Sequence, residues 1–144
     1  MNRRLLLAVL FIVLAFGLQF LLASSGIFIN VILATLIAFA FFFNLWELAV
    51  FILLAIFVTN WQPAVSAEMV LFAVLPLAAY GIRTISRWHG WALNLISLFF
   101  TTVLVYLVIA PGFFVHDFGA FATDLVGSMI FGQLVFSLLY YYGA

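Results

Sequence analysis

Apolar residues fill six continuous runs along the chain, and short polar or turn segments separate each run from the next. The six runs are Leu5–Ala23, Ile27–Phe43, Leu45–Thr59, Met69–Ile82, Trp91–Ile109 and Phe121–Tyr142. A helix needs about 20 mainly apolar residues to cross a bilayer, and these runs do not alternate as barrel strands do. We therefore predict an all-α integral membrane protein, a compact bundle of six transmembrane helices forming a single domain over residues 1–144.

The third and fourth runs are shorter than this length, so we expect them to extend into their loops or the bilayer to thin around them. Between them lies the loop NWQPAVSAE, residues 60–68, in which Pro63 predicts a break. The first run follows the basic start MNRR as in a signal peptide, but no small-residue cleavage motif closes it. We interpret it as a retained helix.

The positions of the arginines predict how the chain is threaded. With a cytoplasmic N-terminus and six crossings, all four arginines fall inside, at Arg3, Arg4, Arg83 and Arg87. Short loops follow the positive-inside rule, so we predict cytoplasmic N- and C-termini and a multi-pass protein of the cell inner (cytoplasmic) membrane. We interpret Arg83 and Arg87 chiefly as topology markers that contact anionic lipid headgroups. A specific anionic partner is the alternative.

Composition narrows the possible functions. Hydrophobic residues make up 70% of the chain and charged residues 6%, far from the roughly 25% charged residues of a soluble domain. Lipid is therefore the expected solvent of the protein surface. Four arginines, no lysine and zero net charge exclude a basic nucleic-acid-binding surface. The absence of cysteine from the sequence excludes disulfides, thiolate metal sites and thiol nucleophiles.

No catalytic motif is present in the sequence. It contains no GxSxG elbow, no HExxH pair, no P-loop and no CxxC motif. The predicted topology places His89 and His116 on opposite faces of the membrane, and Asp117 adjoins His116 without sharing a helix face. We therefore predict that the protein is not an enzyme, and we assign no catalytic residue, cofactor or metal site.

Asp124 is an ionisable residue that we place at the edge of the bilayer. It falls in the first turn of the predicted sixth helix, where the helix dipole favours an acid. Its neighbours at helical spacing include Ser128 and Gly132, a small-xxx-small pair that allows close helix packing. Asp124 is thus interpreted as a helix cap, or alternatively as part of a substrate or partner pocket.

Milder polar and small residues form further stripes. Asn94, Ser97 and Thr101 share one face of the fifth helix, which we expect to point into the bundle. Interhelical hydrogen bonds explain such residues, although they could also line a small-molecule pocket. Ala34 and Ala38 on the second helix form another small pair, suited to packing within or between proteins.

Glu47 begins the third helix on the predicted cytoplasmic side, the side that also carries Arg83 and Arg87. The two arginines are four residues apart and share a face beyond the fourth helix. An ion pair between Glu47 and this face would hold the second turn against the inner loop.

Several short segments resemble the rod shape-determining MreD family. They are LQF at 18–20, RTISRWHGW at 83–91 and DLVGSMIFGQLVF at 124–136, within a layout of six short helices with small loops. The third helix departs from that family, because LAVFILLAIFVTNWQP at 48–63 lacks its glycines and its aspartate. The basic C-terminal tail of the family is also missing. The resemblance implies a non-enzymatic scaffold or assembly subunit for cell shape and elongation, with a membrane-protein partner or a homo-oligomer. No functional residue is carried over from the family.

The layout is also similar to the substrate-binding S-components of ECF vitamin transporters, which are compact six-helix membrane proteins. That resemblance implies a small-molecule ligand and a transmembrane partner. Ala34 and Ala38 would then form the docking pair, and PGFFVHDFGAF at 111–121 would act as a lid.

Overall fold

The computed structural model describes residues 2–26, 29–59 and 67–143, and all regular secondary structure in these ranges is helical. Seven helical segments follow one another within these ranges, one of them a single turn. They are α1 Arg3–Ser24, α2 Val31–Phe39, α3 Leu45–Thr59, α4 Ala67–Ile85, α5 Gly90–Ile109, α6 Phe113–His116 and α7 Phe118–Tyr142. Trp61 and the rest of 60–66, part of the predicted third loop, lie outside the described residues.

Three of the described helices are long and apolar enough to cross a membrane, namely α1, α5 and α7. Two more apolar helices are shorter, Leu45–Thr59 and Met69–Ile85. The prediction of an all-α protein is therefore confirmed, and three helices that could cross a membrane fit the prediction of a membrane protein. The prediction of six helices of spanning length is not confirmed, chiefly because α2 has only nine residues.

The helix ends follow local capping signals more closely than they follow the ends of the apolar runs. The side chain of Asn2 accepts a hydrogen bond from the Arg4 amide at the start of α1. Asp117 caps α7 in the same way through the Ala120 amide, so α7 begins at Phe118, earlier than predicted. Side-chain oxygens at the N-cap satisfy amides that have no partner within the helix.

The core of the fold is α2. All nine of its residues are buried, as expected for a helix that is apolar on every side. It packs against α1, α7, α4, α3 and α5. Because α1 contributes its buried face, including Phe11 and Ile12, to this packing, the first apolar run is part of the bundle.

Large apolar side chains cover the outer surface of the bundle. Val13 on α1, Phe57 on α3 and Ile130 on α7 are 59%, 68% and 64% exposed. Seven polar side chains in the described part of the chain are instead buried: Thr35, Asn94, Ser97, Thr101, Thr102, Asp124 and Ser128. This distribution is the reverse of that in a soluble protein and suits a protein whose surface is solvated by lipid.

Candidate functional site

A short helix inside the bundle must find hydrogen-bond partners for its ends. The first amides and the last carbonyls of a helix have no partner within it, and lipid supplies none. At 1.5 Å per residue, the nine residues of α2 extend over roughly 14 Å, about half the thickness of the hydrocarbon layer. A helix of this length does not reach from one face of the hydrocarbon layer to the other, so at least one end of α2 needs partners from the protein itself.

At the N-terminal end of α2, three side-chain oxygens accept hydrogen bonds from backbone amides. Asp124 Oδ1 accepts from the Asn30 amide at 2.9 Å, and Gln19 Oε1 accepts from the Ile32 amide at 3.0 Å. Asn30 Oδ1 accepts from the Leu33 amide at 3.3 Å. The amides of a helix N-terminus carry partial positive charge, so the Asp124 carboxylate also complements the dipole of α2.

At the other end, two arginines bind carbonyls of the C-cap residue and of the turn that follows α2. Arg83 Nη1 donates to the Ala40 carbonyl at 3.1 Å and to the Phe43 carbonyl at 3.0 Å. Arg4 Nη1 donates to the Phe42 carbonyl at 3.4 Å. Cations at a helix C-terminus are stabilised by its partial negative charge. The Asp124 carboxylate of α7 thus complements the N-terminal end of α2. The guanidinium groups of Arg4 on α1 and Arg83 on α4 complement its C-terminal end.

Arg4 also brings the chain ends together, because its Nε donates to the Gly143 carbonyl at 3.1 Å. The start of α1, the turn after α2, the end of α4 and the end of α7 therefore meet at one end of the bundle. Of the two residues predicted as topology markers, Arg83 is partly buried and caps α2, whereas Arg87 is exposed.

The prediction that Asp124 lies in the first turn of the last helix is wrong. Since α7 begins at Phe118 with Asp117 as its cap, Asp124 lies in the second turn and caps a different helix. Only 6% of Asp124 is exposed. Besides the Asn30 amide, Ser128 Oγ donates to Asp124 Oδ1 at 2.9 Å, and the Tyr106 hydroxyl hydrogen-bonds the carboxylate.

The small residues of α7 lie where other elements approach closely. A Cβ added to Gly132 would lie 2.6 and 2.7 Å from the two terminal methyl carbons of Leu98 on α5. A Cβ added to Gly127 would lie 2.5 Å from Cδ1 of Ile29, just before α2. Ser128 and Gly132 are both buried, so α5 and α7 meet along the small face noted in the sequence.

The polar stripe of α5 faces the interior of the bundle, since Asn94, Ser97 and Thr101 are all buried. Asn94 Nδ2 donates to Gln133 Oε1 at 3.0 Å and is 3.4 Å from the Gly132 carbonyl oxygen. Asn94 Oδ1 is buried and has no hydrogen-bond partner among the described residues. Asn94 therefore joins α5 to α7 by polar contacts in addition to the apolar packing.

A small cavity lies between α2, α5 and α7 at the N-terminal end of α2. Its volume is about 10 Å³, close to the smallest cavity volume that holds one water molecule. Its polar lining residues are Asn30, Thr101, Thr102, Asp124 and Ser128. A vitamin-sized ligand does not fit in this space.

Ala34 and Ala38 lie inside the bundle, 2% and 0% exposed. They are not on the surface, so the proposed role of this pair in docking an outside protein is wrong for this structure. Glu47 does not pair with Arg83 or Arg87 in the described part of the chain. Its carboxylate accepts from the Asn44 amide while Asn44 Oδ1 accepts from the Glu47 amide, a reciprocal capping box.

A wide groove runs along the outer surface between α5 and α7. Its volume is about 500 Å³. Its lining residues are Leu95, Met129, Ile130, Gln133, Leu134, Ser137 and Leu138. Two polar side chains, Gln133 and Ser137, thus lie in an otherwise apolar groove on the outer surface of the bundle.

Arg4 and Gln19 were not predicted as caps of α2. Gln19 is a long polar side chain within an apolar run, which marks an interior contact, but the sequence does not say with which element. No group of three or more His, Asp or Glu residues suited to a metal ion occurs in the described ranges. Comparisons with protein-family models, curated proteins and solved structures found no match to this chain.

Proposed function

We propose that this chain is a non-enzymatic, multi-pass subunit of the cell inner membrane that acts as a scaffold or assembly subunit of a membrane complex. Its role in cell shape and elongation would be MreD-like. The groove between α5 and α7 carries the proposal, because it is wide, faces lipid and contains Gln133 and Ser137.

Polar side chains in such a groove are expected to meet protein. Hydrocarbon offers a polar side chain no hydrogen bond, whereas a neighbouring helix does, at roughly 0.6 kcal/mol and up to about 2 kcal/mol per bond. The other intramembrane polar groups described above are mostly used within the chain, at the ends of α2 and between α5 and α7. Gln133 Oε1 already accepts from Asn94 Nδ2, so the side-chain NH₂ group of Gln133 and the Ser137 hydroxyl are the polar groups best placed to meet a second membrane protein.

The threading that we propose has six crossings, with both termini in the cytoplasm. The meeting of Arg4, Arg83 and Gly143 at one end of the bundle supports it. In this arrangement α2 and its non-helical flanks, residues 29–30 and 40–43, form one short crossing inside the bundle. Non-helical backbone is tolerated at membrane depth when it is buried in protein.

Two observations weigh against a vitamin-binding transporter subunit. The cavity at Asp124 has room for about one water molecule, and Ala34 and Ala38 are buried within the chain. We therefore do not propose a transporter role, and we treat it only as one outcome of the experiment described next.

The test is site-specific photo-crosslinking in cells. A benzophenone amino acid replaces Leu134 in the groove or, as a control, Leu53 on α3, which are 53% and 67% exposed. We expect position 134 to give an adduct with a protein of the cell-elongation machinery and position 53 to give none. A Leu134→Trp variant, which fills the groove, should abolish the copurification of that partner, while Leu53→Trp should leave it unchanged.

The identity of the adduct separates the hypotheses. A second copy of this chain would support a scaffold that works as a homo-oligomer. An ATP-binding transporter subunit would overturn the scaffold proposal in favour of transport. Identical adducts from both positions, or lipid adducts alone, would show that the groove is ordinary lipid-facing surface.

A further inference from the structure

The cavity beside Asp124 combines a buried carboxylate with several hydroxyl oxygens. It has room for a single water-sized occupant, and Asp124, Ser128 and Thr101 line it together with Thr102 and Asn30. Thr101 is only 6% exposed and makes no hydrogen bond to the described part of the chain. Thr101 lines the cavity, so its hydroxyl oxygen is placed to bind an occupant of that space.

The charge of Asp124 is not balanced by a cationic side chain in the described ranges. Its identified donors, the Asn30 amide, the Ser128 hydroxyl and the Tyr106 hydroxyl, are all neutral. Arg4 and Arg83 lie at the opposite end of α2, a helix length away. The N-terminus of α2 contributes roughly half a positive charge, which leaves the site anionic in a medium where an isolated charge is costly.

The hydroxyls of the site are arranged to offer oxygen lone pairs. Ser128 Oγ donates its proton to Asp124, and Thr102 Oγ1 donates its proton to the Leu98 carbonyl. Their lone pairs, and those of Thr101, remain for an occupant of the cavity. Oxygen ligands with a single carboxylate suit a small hard cation of charge one, whereas divalent ions in protein sites usually bind more carboxylates or keep their own waters.

We infer that this cavity is a binding site for one small monovalent cation, Na⁺ or the smaller Li⁺, held by the Asp124 carboxylate and by the Ser128 and Thr101 hydroxyl oxygens. The bound ion would neutralise Asp124 and tie α7 and α5 to the N-terminal end of α2. The site would therefore couple the stability of the bundle to sodium.

The test measures the thermal stability of the purified chain in detergent or nanodiscs. NaCl is titrated against choline chloride at constant ionic strength, with LiCl and KCl as further arms. Ligand that binds only the folded state raises the melting temperature in a concentration-dependent way. We expect Na⁺ and Li⁺ to raise it in a saturable manner, and choline and K⁺ to leave it unchanged.

Two near-isosteric substitutions locate the effect. Asp124→Asn keeps an acceptor for the Asn30 amide but removes the charge, and should abolish the response to Na⁺. Thr101→Val removes one ligand oxygen and should weaken the apparent sodium affinity about tenfold. Thr35→Val is the matched control, because Thr35 is equally buried but is outside the cavity and bonds the Val31 carbonyl.

Equal melting curves of the unchanged protein in NaCl and choline chloride would overturn the proposal, and the occupant would then be a water molecule. A sodium response that survives in folded Asp124→Asn would also overturn it. If Asp124→Asn does not fold, the comparison of Thr101→Val with Thr35→Val tests the proposal. Equal sodium affinities of these two variants would show that Thr101 does not bind the ion, and would overturn the site as proposed.

Discussion

Arg83→Met removes both hydrogen bonds that Arg83 Nη1 donates to the Ala40 and Phe43 carbonyls at the end of α2. Methionine keeps most of the apolar stem of arginine but donates no hydrogen bond. The guanidinium also lies 5.6 Å from the centre of the Tyr80 ring, a cation–π contact that the substitution removes. We expect the bundle to be destabilised because two carbonyls lose their charged donor.

The magnitude follows from the number and the environment of these bonds. A hydrogen bond to a charged group contributes about 1.5–3 kcal/mol, so two such bonds give an upper range of about 3–6 kcal/mol. Arg83 is only partly buried, and water at the membrane interface can replace part of the interaction. We therefore expect Arg83→Met to lower the free energy of unfolding by about 2–3 kcal/mol, and Arg83→Lys by about half as much because lysine keeps the charge.

The assay is unfolding in mixed detergent micelles, followed by circular dichroism as SDS is added. Arg87→Met is the matched control, because it removes the same charge from the same side but Arg87 is exposed. It should change the stability by less than about 0.5 kcal/mol. Equal stability of Arg83→Met and Arg87→Met would refute the reasoning that α2 depends on arginine at its C-terminal end.

Two further predictions concern packing and threading. Gly132→Ala should be less stable than Gly17→Ala by about 1–3 kcal/mol. A Cβ at position 132 meets Leu98 at 2.6 Å, whereas a Cβ at position 17 meets nothing within 4 Å. Equal unfolding curves of the two variants would contradict close α5–α7 packing. Single cysteines at positions 3 and 87 should react with a membrane-impermeant maleimide from the same side, and a cysteine at 117 from the other. Labelling of positions 3 and 87 from opposite sides would exclude the six-crossing topology.

Local signals in the sequence explain several features of the structure. Asn2, Asn30 and Asp117 are residues of the type that caps helices, and each of them does so. The pair Asn44 and Glu47 has the spacing of a capping box and forms one. These features involve residues two or three positions apart, so inspection of the sequence is enough to find them.

The length of α2 was not predictable in the same way. The apolar run Ile27–Phe43 continues past both ends of the observed helix, Val31–Phe39. Its C-terminal end lies among apolar residues, where no glycine, proline or polar residue marks a stop. Arg83 and Arg4 bind the carbonyls there, and they lie about 40 residues away along the chain.

Asp124 illustrates the same limit at the candidate site. Its sequence neighbours suggested a cap for its own helix, yet its carboxylate binds the Asn30 amide, 94 residues away. Ala34 and Ala38 looked equally suited to internal packing and to docking, and only their position in the bundle places them inside.

The sequence by itself determined that the surface of this protein suits lipid, that the protein is helical, and where its arginines lie between the apolar runs. These properties are sums over residues, since each apolar side chain favours lipid and each arginine resists translocation whatever its neighbours are. Only the tertiary structure decided which helix is central, where that helix ends and what Asp124 binds. Inside a low-dielectric bundle each polar group needs a particular partner, and the partner is chosen by packing between segments far apart in the chain.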